Sequence, residues 1–145
     1  MKNTLHGIKD IPDIIKPSMF YTVSMGRWRL ADKLKLEKMD ITLKSGLLEF
    51  APSPKLLFDY KGGKITDAEY EVLYEAEMKV SYTKNRECWD NLLYRSAPVA
   101  LMCYCGDKFC HRHLLIKILA RFYKARNVPF PYGGELTKNS INQPN

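Results

Sequence analysis

The sequence predicts an α/β protein: a compact domain of three layers, in which an open, mostly parallel sheet is flanked by helices. Three observations predict it. The stretch VALMCY (99–104) is a continuous apolar run, the pattern of a strand buried on both faces. A short turn then leads into CHRHLLIKILARFYKARN (110–127), a long amphipathic helix with Leu114, Leu115, Ile118, Leu119 and Phe122 on its core stripe. The other strand-like segments are separated by helical ones, the alternation that builds parallel sheets.

In chain order, residues 1–18 read as an N-terminal arm, interrupted by Pro12 and Pro17 and without periodicity. MFYTVSM (19–25) is rich in aromatic and β-branched residues and predicts a first strand that Gly26 ends. The lysines of KLKLEK (33–38) read as a solvated face. MDITLKSG (39–46) predicts a second strand, closed by Ser45 and Gly46. PSPKLLFDYKGG (52–63) predicts a short helix with Ser53 as N-cap, Pro54 in its first turn and Gly62 beyond its end. Thr66 followed by Glu69 is a capping box, opening a helix that runs to about Tyr82. KNRECWDNLLYR (84–95) is a second helical stretch, broken by Pro98 before the apolar strand. VPFPYGGEL (128–136) reads as an edge strand or ordered loop, and 137–145 as a polar tail, leaving 19–136 as a single domain.

Bulk properties narrow the function classes. No apolar run approaches the ~18 residues of a membrane span, and the N-terminus lacks the pattern of a secretory signal. The expectation is a cytoplasmic protein whose thiols stay reduced, so its four cysteines read as ligands, nucleophiles or buried hydrophobes rather than disulfides. The net charge of +7 favours an anionic partner, a small molecule or nucleic acid, and no membrane.

The richest segment is CYCGDKFCHRHLL (103–115), with three of the four cysteines and two of the three histidines. As a zinc site it offers five possible ligands, with Cys103, Cys105, Cys110 and His113 as the candidate set. The cysteine spacing is not that of a zinc knuckle, so no cofactor is expected and zinc binding ranks as a third functional alternative. Cys103 lies within the apolar run and reads as a small hydrophobe. Helix phase turns His111 inward, as a core histidine or a catalytic base, and His113 outward with Lys117. Arg112 projects from the flank, as a surface ion pair or an anion hook. Cys110 stands at the helix start, where the dipole and free N–H groups favour an anion and lower a thiol pKa. The same features cradle a phosphate or carboxylate with the cysteine as bystander. Neither Cys105 nor Cys110 has the spacing to Arg112 of a cysteine-phosphatase loop.

The stretch VALMCYCGDKFCHRHLL resembles the signature of domain-of-unknown-function family 488, an apolar strand ending in Leu-Leu-Cys, a polar turn, and Cys-His-Arg opening a helix. The matching positions are Leu101, Met102 and Cys103, then Cys110, His111 and Arg112. YTVSMGRW, DITLKSG and FAPSPKLLFDYKGG follow the family's plan, so the resemblance spans roughly residues 19–127. It implies a compact α/β domain with a site at the strand end and no particular reaction; Cys105 and His113 fall outside the signature.

Two functional expectations follow. In the first, Cys110, His111 and Arg112 are catalytic toward a nucleotide, nucleic acid or other phosphorylated substrate: nucleophile or anion holder, proton exchanger and phosphate binder. Arg27 and Arg29 after the first strand, Lys44 and Ser45 at the second, and Cys105 and Asp107 in the turn line the ligand mouth. Tyr21 and Tyr104 read as core edges. In the second, the chain is a non-catalytic module, of the phage-like accessory kind, that captures a nucleotide-like ligand or a partner protein.

Overall fold

The computed structural model of the chain describes residues 20–104 and 109–139. The expected arm (1–18), the turn residues Cys105 and Asp107, and the tail beyond 139 lie outside the described residues.

Strands β1 (Phe20–Ser24), β2 (Glu37–Asp40), β3 (Val99–Cys103) and β4 (Tyr132–Glu135) form one sheet in the order β2-β3-β1-β4. All pairings are parallel, as expected, and Ser24 pairs with Cys103 at the carboxyl ends of the two central strands. Helices α1 (Trp28–Lys33), α2 (Pro54–Lys61), α3 (Asp67–Lys84), α4 (Arg86–Leu93) and α5 (His111–Ala125) complete the domain. No helix among the described residues is long and apolar enough to cross a membrane.

The three layers follow from strand alternation. Phe20, Val99, Leu101 and Cys103 face a core filled by α2 to α5, including Leu56, Tyr70, Tyr74, Trp89, Leu115 and Leu119. Val23, Ala100 and Met102 point the other way, onto Ala31 of α1 with Leu36 and Leu136. Every residue of β3 is buried, which explains its unbroken apolar run. The connection after β1 crosses one face of the sheet to reach β2, past β3; the connection after β3 crosses the other face to reach β4, past β1. The connections leaving the parallel neighbours β1 and β3 therefore run to opposite faces and in opposite directions across the sheet. In open α/β sheets ligands bind outside the carboxyl ends of strands at such a point.

Local chemistry sets most boundaries. The Ser53 hydroxyl accepts a bond from the Leu56 N–H at 3.2 Å, with Pro54 opening α2. The capping box is complete: the Glu69 N–H donates to Thr66 Oγ1 at 3.1 Å and the Thr66 N–H to Glu69 Oε1 at 2.8 Å. The segment 128–136 contains a true edge strand, β4, paired with β1.

Two boundaries depart from the expectation. The second strand occupies 37–40 rather than 39–46, because the Asp40 carboxylate captures the chain beyond it. Its Oδ1 accepts from the Thr42 N–H (2.9 Å) and hydroxyl (2.7 Å), and its Oδ2 from the Ser45 hydroxyl (2.6 Å). Side-chain bonds of this kind compete with a strand ladder. Residues 28–33, for which the sequence predicts no element, form α1. Its N-cap, Arg27, makes no side-chain capping bond, and its one buried residue is Ala31. The KLKLEK lysines thus straddle the end of α1 and the start of β2, with Leu36 turned into the core between them.

Candidate functional site

The site is built where β3 ends and α5 begins. Alternation places Cys103 on the face of β3 that carries Val99 and Leu101, beneath the first turn of α5. Cys110, in extended conformation, is the α5 N-cap, and its carbonyl accepts the His113 N–H at 3.1 Å. Both cysteines are buried, and their sulfurs are in bonding contact in the manner of a disulfide, with Cα atoms 7.7 Å apart. The reading of the cysteines as ligands, nucleophiles or buried hydrophobes rather than disulfides does not extend to this pair, which the strand face and the helix cap bring together. Cys88 is free.

His111 is buried, as helix phase predicts, and its ring is held at both nitrogens. Nε2 lies 2.7 Å from the Ile41 carbonyl oxygen, and Nδ1 lies 3.8 Å from Cys110 Sγ. A carbonyl only accepts, so Nε2 carries the proton and Nδ1 presents a lone pair to the sulfurs. Burial pushes the His111 pKa down to about 4, with Arg112 adding to the effect and the Ile41 carbonyl and Asp40 opposing it. The ring is therefore neutral at pH 7.

Arg112, expected as a surface ion pair or an anion hook, forms an ion pair, but a buried one. Its side chain is fully buried: Nε and Nη2 donate to the two Glu135 carboxylate oxygens at 3.1 and 2.9 Å, and Nη1 donates to Cys103 Sγ at 3.1 Å. A buried guanidinium needs such a partner, and the carboxylate of β4 supplies it in the two-pronged geometry that suits arginine. His113 is less exposed than expected. It is half-buried, with Nε2 3.9 Å from the same Glu135, and burial lowers its pKa. Lys117 is exposed and pairs with Glu71 at 2.8 Å.

Beside this cluster opens a cleft of about 290 Å³ at the carboxyl ends of β2 and β3, lined by Thr42, Leu43, Lys44, Lys61, Tyr104 and His111 among others. Of the expected mouth residues, Lys44 lines it. The Ser45 hydroxyl is turned to Asp40 instead. Arg27 sits in the turn after β1, at the same end of the sheet. Arg29 belongs to α1, on the sheet face opposite α5, with its guanidinium 4.6 Å from the Trp28 ring centre. Tyr104 is exposed and lines the cleft rather than edging the core.

Three donors, Cys103 Sγ, Cys110 Sγ and a His111 ring nitrogen, lie within 4.8 Å of one another, all buried. The set holds Cys103 and Cys110 of the candidate zinc ligands, together with His111 instead of His113, while Cys105 lies outside the described residues. Residues that sequence reasoning missed are Lys61, Glu135 and Cys103 as a partner of Cys110. Strand alternation carried the signal for Cys103, whereas nothing local marks Glu135.

A family model described as the active DUF488-N3 subclade, DUF488-N3a, matches residues 31–122, from within α1 to within α5. No curated protein and no solved structure matches the chain. The matched span contains Cys103, Cys110, His111 and Arg112 and more than half of the chain, and the protein belongs to the DUF488 family.

Proposed function

We propose that the chain binds an anionic, phosphorylated ligand of the nucleotide class in the cleft beside α5, and acts on it with groups of the Cys110–His111–Arg112 turn. The observation that carries this reading is the cleft itself: exposed Lys44 and Lys61 line it together with His111. Two ammonium groups in one concave site raise the local concentration of anions, and the net charge of +7 acts in the same direction. The location outside the strand ends agrees with ligand binding in open α/β sheets. The family model's description as an active subclade favours turnover over capture alone. In that turnover Cys110 is the required thiol. Arg112, tied to Glu135 and Cys103, positions the sulfurs rather than gripping phosphate. One observation favours the non-catalytic reading: Cys110 is buried and its sulfur is engaged by Cys103.

The test is titration calorimetry with pyrophosphate and nucleoside diphosphates at low salt, followed by assay of a nucleotide panel for released products. The Lys44→Ala/Lys61→Ala double variant is expected to bind about tenfold or more weakly, a loss of ~1.4 kcal/mol or more. Cys110→Ser is expected to retain binding and lose turnover. Unchanged affinity in the double lysine variant would reject the cleft. Binding without turnover of any compound by the wild type would establish the capture module.

A further inference from the structure

We propose that, in the reduced protein, Cys103, Cys110 and His111 are three ligands of a thiophilic divalent cation of the zinc class. Two thiols and an imidazole form the donor set that such a cation selects over oxygen-only ligands. The three donor atoms already lie within 4.8 Å of one another, and all three residues are buried. The inference shares His111 with the anion cleft and gives the Cys110 thiol, on which the proposed turnover rests, the further role of metal ligand. Its test uses the metal alone and so stands or falls separately from anion binding.

The surroundings of the three residues carry the argument further. His111 Nε2 donates to the Ile41 carbonyl at 2.7 Å, which leaves Nδ1 as the ligating nitrogen and holds the ring in place. An outer hydrogen bond of this kind orients metal-binding histidines generally. On the opposite side, Arg112 donates to Cys103 Sγ at 3.1 Å, a bond that steadies a thiolate, and the Glu135 carboxylate balances the guanidinium charge. Two thiolates neutralise a divalent cation, so the buried group as a whole carries no net charge. Without the cation, two adjacent buried thiolates would be costly.

Backbone spacing agrees. The Cα atoms of Cys103 and Cys110 are 7.7 Å apart, whereas relaxed disulfides span about 4.4–6.8 Å. Two sulfurs that each approach a shared cation to about 2.3 Å leave room for a wider backbone separation. Metal binding releases the two thiol protons to solvent and involves no electron transfer. Three protein ligands leave the remaining tetrahedral position for water or another ligand, as in catalytic zinc sites.

The experiment uses the full chain, reduced with a phosphine, and the metal alone. Cobalt(II) titration is expected to give a thiolate charge-transfer band and the strong visible bands of a four-coordinate ion, saturating at one cobalt per chain. Zinc should displace the cobalt, and native mass spectrometry should show one bound zinc. Cys103→Ser, Cys110→Ser and His111→Gln should each remove or weaken the spectrum, while His113→Gln leaves it unchanged. Circular dichroism identifies any variant that fails to fold, and the wild-type titration decides the matter without the variants. A reduced wild-type chain that takes up neither cobalt nor zinc, or one that keeps full metal uptake in folded His111→Gln, overturns the inference.

Discussion

At the residue scale the arrangement turns on Arg112. A guanidinium without solvent contact is tolerated because its donors meet both Glu135 oxygens and the Cys103 sulfur. The pair joins the first turn of α5 to the edge strand β4, and it holds Cys103 against Cys110. Removing one partner from a buried pair leaves the other charge uncompensated, which costs about 3–5 kcal/mol. Glu135 keeps some contact with water, its side chain being 22% exposed, so Glu135→Gln is expected near the lower end, at about 3 kcal/mol. Urea unfolding of the variant against wild type measures this directly. A change below ~0.5 kcal/mol, the range of ordinary surface substitutions, would mean that the carboxylate does not compensate Arg112.

At the scale of elements, the loop after β2 shows how a short segment sets a functional side chain. The Asp40 carboxylate gathers Thr42 and Ser45, the Gly46 N–H donates to the Thr42 carbonyl at 3.0 Å, and the Leu47 N–H to the Asp40 carbonyl at 2.8 Å. This ring of bonds presents Lys44 to the cleft and aligns the Ile41 carbonyl on His111. Gly46 is required by space: a Cβ there would sit 2.2 Å from the Asp40 carbonyl oxygen, which belongs to the backbone and cannot swing aside. Gly46→Ala is therefore expected to cost about 1–3 kcal/mol, as overpacking does, and to weaken anion binding as Lys44 shifts. Denaturation and pyrophosphate titration of the variant check both effects, and wild-type values in both would show that the loop adapts freely. The same scale explains what was legible in the sequence. Elements with a local signal, such as the Thr66–Glu69 box, the Ser53–Pro54 cap and the apolar run of β3, were readable, and helix phase placed Cys110 at the cap and His111 inward. Helix α1 has no capping side chain and rests on Ala31 packing against the sheet, so only tertiary contact defines it. The end of β2 was hidden because side-chain bonds from Asp40 override strand propensity. The burial of Arg112 was hidden because its partner lies 23 residues away, in a strand with two glycines and no alternating pattern.

On the scale of the whole molecule, the two faces of the sheet are unequal. The α5 face buries Trp89, Tyr70, Tyr74, Phe20 and Phe50 almost completely, with rings in edge and stacked contact, among them Phe50 against Trp89 at 5.0 Å. Among the described residues, the other face carries the six residues of α1, and its buried set is Val23, Ala31, Leu36, Ala100, Met102 and Leu136. Less apolar area is removed from water there, and hydrophobic stabilisation scales with that area. The central strands β1 and β3 are paired on both sides, whereas β2 and β4 are edges. Proteins open locally in units of unequal stability, and here the weakest unit is α1 and the strongest is the β1–β3 pair with α5. Native-state hydrogen exchange should therefore show α1 amides exchanging through local opening. The amides of β3 and the middle of α5 should exchange only through global unfolding, with protection that falls in step with stability as denaturant is added. Protection of α1 equal to that of β3 would overturn this ranking. The ranking also bears on the site, because Cys103, Cys110 and His111 lie at the junction of β3 and α5. A rigid junction holds three donors in register, so the sulfurs and the imidazole should keep their mutual placement even while α1 opens.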